Sequence, residues 1–129
     1  MGDLNEDAIL TASDGEISDD FANTVAASGE VVVAGAPLDD IEDVVDQGSA
    51  YIYSKPESGW ADMTETEKLT ASNGVEADVF GTSVSIKNET IAVGAPKHSL
   101  SDNDDIGSAY IFDPQVISVN YFYLPLTIR

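Results

Sequence analysis

The 129-residue sequence has no cysteine and very few basic residues. The absence of cysteine excludes disulfides, thiolate metal sites and thiol nucleophiles. Five Lys and Arg residues stand against 24 Asp and Glu residues, for a formal net charge of −19. Because phosphate binding needs cationic side chains, the sequence predicts no nucleic-acid binding and favours cations or basic partners. High solubility is the alternative explanation of this charge.

Long hydrophobic runs are missing as well. No stretch approaches the roughly 18 apolar residues of a membrane span, so we expect no membrane insertion. Residues 1–10 lack the basic start and apolar core of a secretory signal, so the chain shows no signal peptide. Hydrophobic residues still make up 43% of the sequence, which is typical of a folded globular protein.

An internal repeat is the main feature that the sequence does contain. Its matches are Leu10–Gly15 with Leu69–Gly74, Phe21 with Phe80, Gly35–Pro37 with Gly94–Pro96, and Gly48–Tyr53 with Gly107–Phe112. Each pair is 59 residues apart, with no gap. Such self-similarity is typical of repeat architectures. We divide the chain into a lead-in at 1–9, a first repeat at 10–68, a second repeat at 69–112 and a C-terminal strand or tail at 113–129.

Each repeat contains the hydrophobic patterns of short strands. Val84 and Ile86 alternate with polar residues, which predicts a half-buried strand. Gly29 and its counterpart Asn88 then mark a tight turn, since both tolerate positive φ. The unbroken apolar runs 31–34 and 91–93 predict strands covered on both faces, each ending at Gly-Ala-Pro.

Two further strands complete each predicted repeat. A third strand is predicted at 49–53 and 108–112, and a weaker fourth strand at 60–69. The sequence therefore predicts an all-β fold of two four-stranded antiparallel β-propeller-type blades. A small β-sandwich is the alternative, although it does not explain the strict repeat. Because propellers have four to eight blades, two blades indicate a partial propeller or one completed by oligomerisation.

The repeat resembles the FG-GAP family, whose repeats form the propeller head of integrin α chains and occur in bacterial surface proteins. The residues that carry the resemblance are Phe80-Gly81, Ser83-Val84, Ile91–Pro96 and Gly107–Phe112, with matching partners in the first copy except for Ala22 after Phe21. The resemblance implies that the phenylalanines fill the wedge between blades and that a tiny neighbour such as Gly81 lets backbones approach closely. It also implies that Gly35-Ala36-Pro37 and Gly94-Ala95-Pro96 turn the chain out of an inner strand.

The sequence departs from the integrin-like pattern at the calcium loop. Integrin-like repeats often carry that loop between the Phe-Gly strand and the Gly-Ala-Pro strand, but here only 28–30 or 87–90 lie there. Neither interval supplies the six to eight oxygens that calcium takes. Acidic residues gather after Gly-Ala-Pro instead, where Asp102, Asp104 and Asp105 partly imitate a calcium loop. Two interpretations stay open, a Ca²⁺ site and a solvated loop, and no cofactor is required.

Catalytic signals are weak in this sequence. His98 is the single histidine, and in what we expect to be a surface loop it is interpreted as structural. No nucleophile elbow or glycine-rich phosphate loop is present, so we expect no enzyme. Trp60 and the tyrosines could stack on sugars or peptides, but blade core is the interpretation we favour.

The resemblance implies a non-enzymatic FG-GAP β-propeller segment. It would bind a protein or glycan outside the cell or at the cell surface, with a cation as a possible aid to adhesion. One alternative is a structural repeat that self-assembles, and another is an accessory fragment of a secreted hydrolase. The chain would then be part of a longer chain or of a homo-oligomer.

Overall fold

The computed structural model describes residues 4–99 and 105–113. In that part of the chain the fold is all-β and contains no helix, hence none long enough to cross a membrane. The strands are β1 (Leu10–Thr11), β2 (Thr24–Ser28), β3 (Val31–Ala36), β4 (Ser49–Ser54), β5 (Met63–Thr64), β6 (Glu67–Leu69), β7 (Ser83–Lys87), β8 (Thr90–Ala95) and β9 (Ser108–Phe112).

The first repeat forms a four-stranded antiparallel blade. Its strand order is β2-β3-β4-β6. The predicted fourth strand at 60–69 is wrong in extent, because only β6 joins the blade while β5 pairs in parallel with β1. The reason is Glu65, whose carboxylate accepts hydrogen bonds from the backbone N–H and the hydroxyl of Ser13 at 2.9 and 2.6 Å. This contact holds the stretch before β6 against the N-terminal segment.

The second repeat forms a three-stranded antiparallel sheet in the order β7-β8-β9. Its hairpin repeats that of the first blade. Gly29 and Asn88 have φ of 60° and 49°, which confirms the predicted turn. Most of the tail predicted at 113–129 lies outside the described residues.

The two blades pack face to face through apolar side chains. The shared core contains Val33 and Ile52 from the first blade and Phe80, Ile91 and Val93 from the second. The opposite face of the first blade carries a second cluster, in which Tyr51 and Tyr53 are surrounded by Leu10, Phe21, Trp60 and Met63. The first blade is thus covered on both faces over its central strands β3 and β4, while Val25 on β2 remains 61% exposed.

Burial along the two apolar runs differs between the blades. In the first blade both faces of the run are covered, since Val33 is 0% and Ala34 is 3% exposed. In the second blade Ile91 and Val93 are buried, but Ala92 between them is only half-buried. The prediction of a strand covered on both faces is therefore confirmed for the first copy and wrong for the second, because no described blade covers the far side.

Candidate functional site

Besides the shared apolar core, backbone hydrogen bonds join the two blades along one edge. The N–H groups of Ala77, Val79 and Phe80 donate to the carbonyls of residues 45, 46 and 47 at 2.9, 3.1 and 2.9 Å. The acidic loop of the first blade thus serves as a hydrogen-bonding edge for the second. Gly48 lies in a bridge to Phe80, and a Cβ there would come within 3.0 Å of the Phe80 backbone.

The motif phenylalanines occupy equivalent positions in the two blades. Phe21 meets Tyr51 edge to face at 5.4 Å between ring centroids, and Phe80 meets Tyr110 at 5.3 Å. Phe80 is fully buried in the shared core. The residue after each phenylalanine has positive φ, 65° at Ala22 and 98° at Gly81, so alanine adopts in the first copy the conformation that glycine adopts in the second.

The Gly-Ala-Pro motifs end β3 and β8. Ala36 and Ala95 are both 0% exposed, whereas Pro37 is buried and Pro96 is exposed. The glycines differ as well, and their surroundings show why. A Cβ on Gly35 would meet the carbonyl oxygen of Gly81 in the other blade, but a Cβ on Gly94 would meet only the side chain of Ser83. Close approach of blades is therefore made at the first motif.

A polar cluster, which we call the lysine cluster, lies beside the first Gly-Ala-Pro motif. The carboxylate of buried Asp39 accepts a hydrogen bond from the Ser49 hydroxyl at 2.7 Å and lies 2.9 Å from the Lys68 ammonium. Lys68 also binds Asp14, which accepts a hydrogen bond from the Tyr51 hydroxyl at 2.8 Å. One lysine thus bridges two carboxylates from different loops.

Protonation states in the lysine cluster follow from these contacts. Burial raises the pKa of Asp14, but hydrogen bonds from Lys68 and Tyr51 outweigh it and hold that pKa below its usual value. Burial lowers the pKa of Lys68, and its bonds to the carboxylates reverse the effect, so the net pKa is raised. Burial is the main cause of the raised pKa of Tyr51. The lysine therefore stays cationic and the tyrosine neutral at ordinary pH.

The equivalent cluster of the second blade, the histidine cluster, uses different residues. His98 stands where the first copy has Asp39, and it is 2% exposed, so the surface position expected from sequence is wrong. Its Nδ1 lies 2.6 Å from the carboxylate of fully buried Asp78, which also accepts the Val75 N–H at 2.8 Å. The histidine is structural in this setting, because its hydrogen bonds tie one loop to another.

The tautomer of His98 follows from its second neighbour. The Asn73 amide nitrogen lies 3.2 Å from Nε2, while the Asn73 oxygen accepts the Tyr110 hydroxyl at 2.8 Å. An amide nitrogen only donates, so Nε2 is the acceptor and the proton resides on Nδ1, facing Asp78. Both ring nitrogens of His98 are thus engaged by neighbouring side chains.

Only one of the three residues predicted to hold a metal lies within the described part of the chain. Asp105 is exposed, and Asp102 and Asp104 lie outside the described residues. Within 4–99 and 105–113 no group of three or more His, Asp or Glu side chains is arranged to hold a metal ion. A carboxylate of the first acidic loop instead stabilises the loop itself, since the Asp46 N–H donates to the Asp40 side chain at 2.9 Å.

A cleft of about 510 Å³ opens between the two blades, and we call it the interblade cleft. Its walls are aliphatic and aromatic, formed by Val31, Ile52 and Leu69 on one side and Ile86, Ile91 and Phe112 on the other. A second hollow of about 400 Å³ adjoins it and shares three of its lining residues: Val31, Ser54 and Glu89. The tyrosines 51 and 53 are buried elsewhere, so they do not form a sugar-stacking surface.

Two sheets of repeated sequence, joined through glycine-lined backbone contacts, define a segment of a β-propeller-type repeat protein. The family comparison agrees with this class. The FG-GAP repeat model matches residues 4–53 and 63–112, and these two matches are again 59 residues apart. The chain belongs to the FG-GAP repeat family, whose repeats are generally not catalytic. A comparison with curated proteins found no match.

Sequence reasoning missed most members of the two polar clusters. In the sequence Asp39 is one of several carboxylates after the first Gly-Ala-Pro motif, and no motif distinguishes Asp14, Lys68 or Asp78. One signal was present, because Asp19 and Asp78 are also 59 residues apart and each accepts a backbone N–H three residues earlier. An aspartate that ends a turn and accepts a backbone N–H from three residues earlier is a known local side-chain-to-backbone motif.

Proposed function

We propose that this chain is a non-enzymatic β-propeller segment that binds a protein or a glycan outside the cell or at its surface. The observation that carries the proposal is a contrast between ionisable side chains that stabilise the fold and an apolar cleft that is free to bind. Ionisable side chains such as the buried Asp39 and His98 and the half-buried Lys68 are engaged in holding loops together, while an apolar cleft stays open between the blades. Open apolar clefts with a few polar groups are typical of recognition sites.

The acidic surface narrows the class of ligand. With a formal charge of −19, the chain repels anionic ligands at long range and attracts cationic ones. Cation-assisted binding remains part of the proposal, because exposed carboxylates such as Asp105 concentrate Ca²⁺ near the surface. No step of this function requires a cofactor bound within the blades.

An array experiment tests the proposal directly. The labelled chain is applied to glycan and peptide arrays with calcium and with a chelator, and it is assayed in parallel against a panel of ester, glycoside and peptide substrates. We expect saturable binding on one array and no turnover. Catalytic turnover that persists through repeated purification of the chain would contradict the non-enzymatic assignment. The absence of binding on both arrays would contradict the binding function.

A second candidate, self-assembly through open blade faces, is favoured by a comparison of equivalent residues. Ile52 is 7% exposed between the blades, but its counterpart Ile111 is 65% exposed. On the other side Val84 packs into the shared core, whereas its counterpart Val25 is 61% exposed. Positions that are covered at the joint between the blades thus have exposed counterparts at the two outer faces, where another blade would cover them.

The outer face of the second blade is less apolar than its counterpart in the joint. Thr90 and Ala92 stand where the first blade has Val31 and Val33. Packing of a further blade there would bury less apolar surface, and its contribution to stability would be smaller.

Light scattering over a range of protein concentrations tests self-assembly. We expect association that is weakened by Val25→Glu on one outer face or Ala109→Glu on the other. Val75→Glu is the control, because Val75 is 46% exposed outside these faces. A monomer at every concentration, or equal effects of all three changes, would contradict this candidate.

A further inference from the structure

The interblade cleft has the size of a ligand site. Its volume of about 510 Å³ lies within the roughly 300–1,000 Å³ of known ligand pockets. The cleft exists because β2 lies against β7 near one edge of the blades, while the sheets separate toward β6. The space between Leu69 and Ile86 is therefore not filled by either blade.

The rim of the cleft is acidic, in contrast to its apolar walls. Glu67 and Glu89 are exposed at the mouth, and Glu30 lines the adjoining hollow. Lys55 is the cation of that hollow. Carboxylates at a rim remain hydrated, so they contribute mainly to association rate and to the choice of partner, while the apolar walls supply most of the affinity.

The shape of the site distinguishes among partner classes. The main cleft continues into the adjoining hollow past Val31 and Ser54, which provides an elongated path rather than a single closed pocket. Its walls are mainly aliphatic, with the half-buried Phe112 as the aromatic member. A sugar ring is usually held by an exposed aromatic face together with hydrogen-bonding groups, whereas an aliphatic slot fits an apolar amino-acid side chain.

We propose that the interblade cleft binds an extended segment of a partner protein in which a large apolar side chain is flanked by lysine or arginine. The apolar side chain enters between the half-buried Leu69 and Ile86 on opposite walls of the cleft, and the flanking cations pair with Glu67 and Glu89. This inference rests on the proposed binding function and names its partner chemistry. Anionic ligands are disfavoured by the same carboxylates.

Fluorescence anisotropy with labelled nine-residue peptides tests the inference. The probe has a central Leu-Phe pair with two lysines on each side, and two control peptides carry Ser-Ser at the centre or glutamates in place of the lysines. We expect saturable binding of the probe and at least a tenfold weaker affinity for each control. Raising the salt concentration should weaken binding of the probe, because exposed ion pairs are screened.

Two variants of the protein localise the binding. Ser54→Trp places a bulky side chain at the junction of the two hollows, from an exposed position, and should abolish binding of the probe. Glu67→Lys combined with Glu89→Lys should weaken it about tenfold. The matched control is Asp43→Lys combined with Glu76→Lys, which makes the same change of net charge at exposed positions away from the cleft.

The outcomes separate this inference from the proposed function. Equal loss in the rim variant and its charge control would show general attraction to an acidic protein and overturn the cleft site. If the probe fails to bind while arrays show another ligand, the binding function stands and the inference is overturned. Unchanged melting temperatures of the variants show that they remain folded.

Discussion

Replacing Gly35 with alanine should push the two blades apart, whereas the same replacement at Gly94 should be tolerated. The two glycines occupy equivalent positions in β3 and β8, and neither has positive φ. A Cβ on Gly35 would come within 3.0 Å of the Gly81 carbonyl oxygen, which belongs to the backbone of the other blade. A Cβ on Gly94 would meet the hydroxyl oxygen of Ser83 at 2.5 Å, and that side chain can rotate away.

The expected magnitudes follow from these obstacles. Overfilling a packed interior typically costs about 1–3 kcal/mol, and a backbone obstacle places Gly35→Ala near about 3 kcal/mol. For Gly94→Ala, the reduced freedom of the unfolded chain favours folding by about 0.4–1 kcal/mol. Moving the Ser83 side chain costs a similar amount, about 0.5–1.5 kcal/mol. The gain from reduced freedom of the unfolded chain applies equally to Gly35→Ala and cancels, so we expect a difference of about 1.5–2.5 kcal/mol between the two variants.

Urea unfolding measures this difference. Far-UV circular dichroism follows both blades, and fluorescence of the single tryptophan, Trp60, follows the first blade, where it packs against the Tyr51 cluster. With an m-value of about 2 kcal/mol per M, the midpoint of Gly35→Ala should fall by about 1 M relative to Gly94→Ala. The two probes should also separate in Gly35→Ala, because the joint that couples the blades is weakened.

Equal midpoints for the two variants would refute the reasoning, and so would a neutral Gly35→Ala. If Gly94→Ala is costly only at high protein concentration, the outer face of the second blade is occupied by another copy, as the self-assembly candidate requires. Measurements at several concentrations distinguish these results.

Three further changes test other parts of the structure. Val79 has φ of 51°, a conformation that costs an L-residue about 1–2 kcal/mol, and the equivalent residue of the first copy is Asp20. Asparagine adopts this conformation more readily, so Val79→Asn should raise the free energy of unfolding by about 1 kcal/mol and with it the urea midpoint. A lower midpoint would contradict this. The pKa of Asp14 is lower in the folded protein than its unfolded value of about 3.9, so the charged carboxylate stabilises the fold above that pH. This stabilisation is lost as pH falls through the folded pKa, and Asp14→Asn should therefore flatten the decline of melting temperature from pH 6 to pH 3. An unchanged slope would contradict the role given to the lysine cluster. His98→Leu leaves the buried Asp78 carboxylate without its partner and should cost about 3 kcal/mol, part of which Asp78→Asn should restore; additive losses would show that the two side chains are not coupled.

Local features of the fold were predictable because they depend on neighbouring residues. The alternation at Val84 and Ile86 and the turn at Asn88 specify a hairpin without reference to the rest of the chain. The interruption between Trp60 and Leu69 was not predictable in this way. It depends on Glu65 reaching Ser13, a contact across 52 residues that no local pattern encodes.

The candidate site was less predictable than the fold. His98 follows Pro96-Lys97 in a polar loop and reads as exposed, yet it is buried because Asp78 and Asn73 from another loop surround it. The interblade cleft likewise has no sequence motif. It arises from the angle at which two sheets separate, so its members come from both repeats.

The sequence by itself determined that the chain contains two copies of one β-rich unit, and that the copies belong to the FG-GAP family. The repeated glycines, phenylalanines and prolines meet backbone and packing requirements that recur in each copy. Only the tertiary structure decided what differs between the copies: Gly35 is enclosed and Gly94 is not, Ile52 is buried and Ile111 is exposed. The physical reason is position in the stack, since identical motifs meet different neighbours on the two sides of a blade, and those neighbours decide which surfaces remain free to bind.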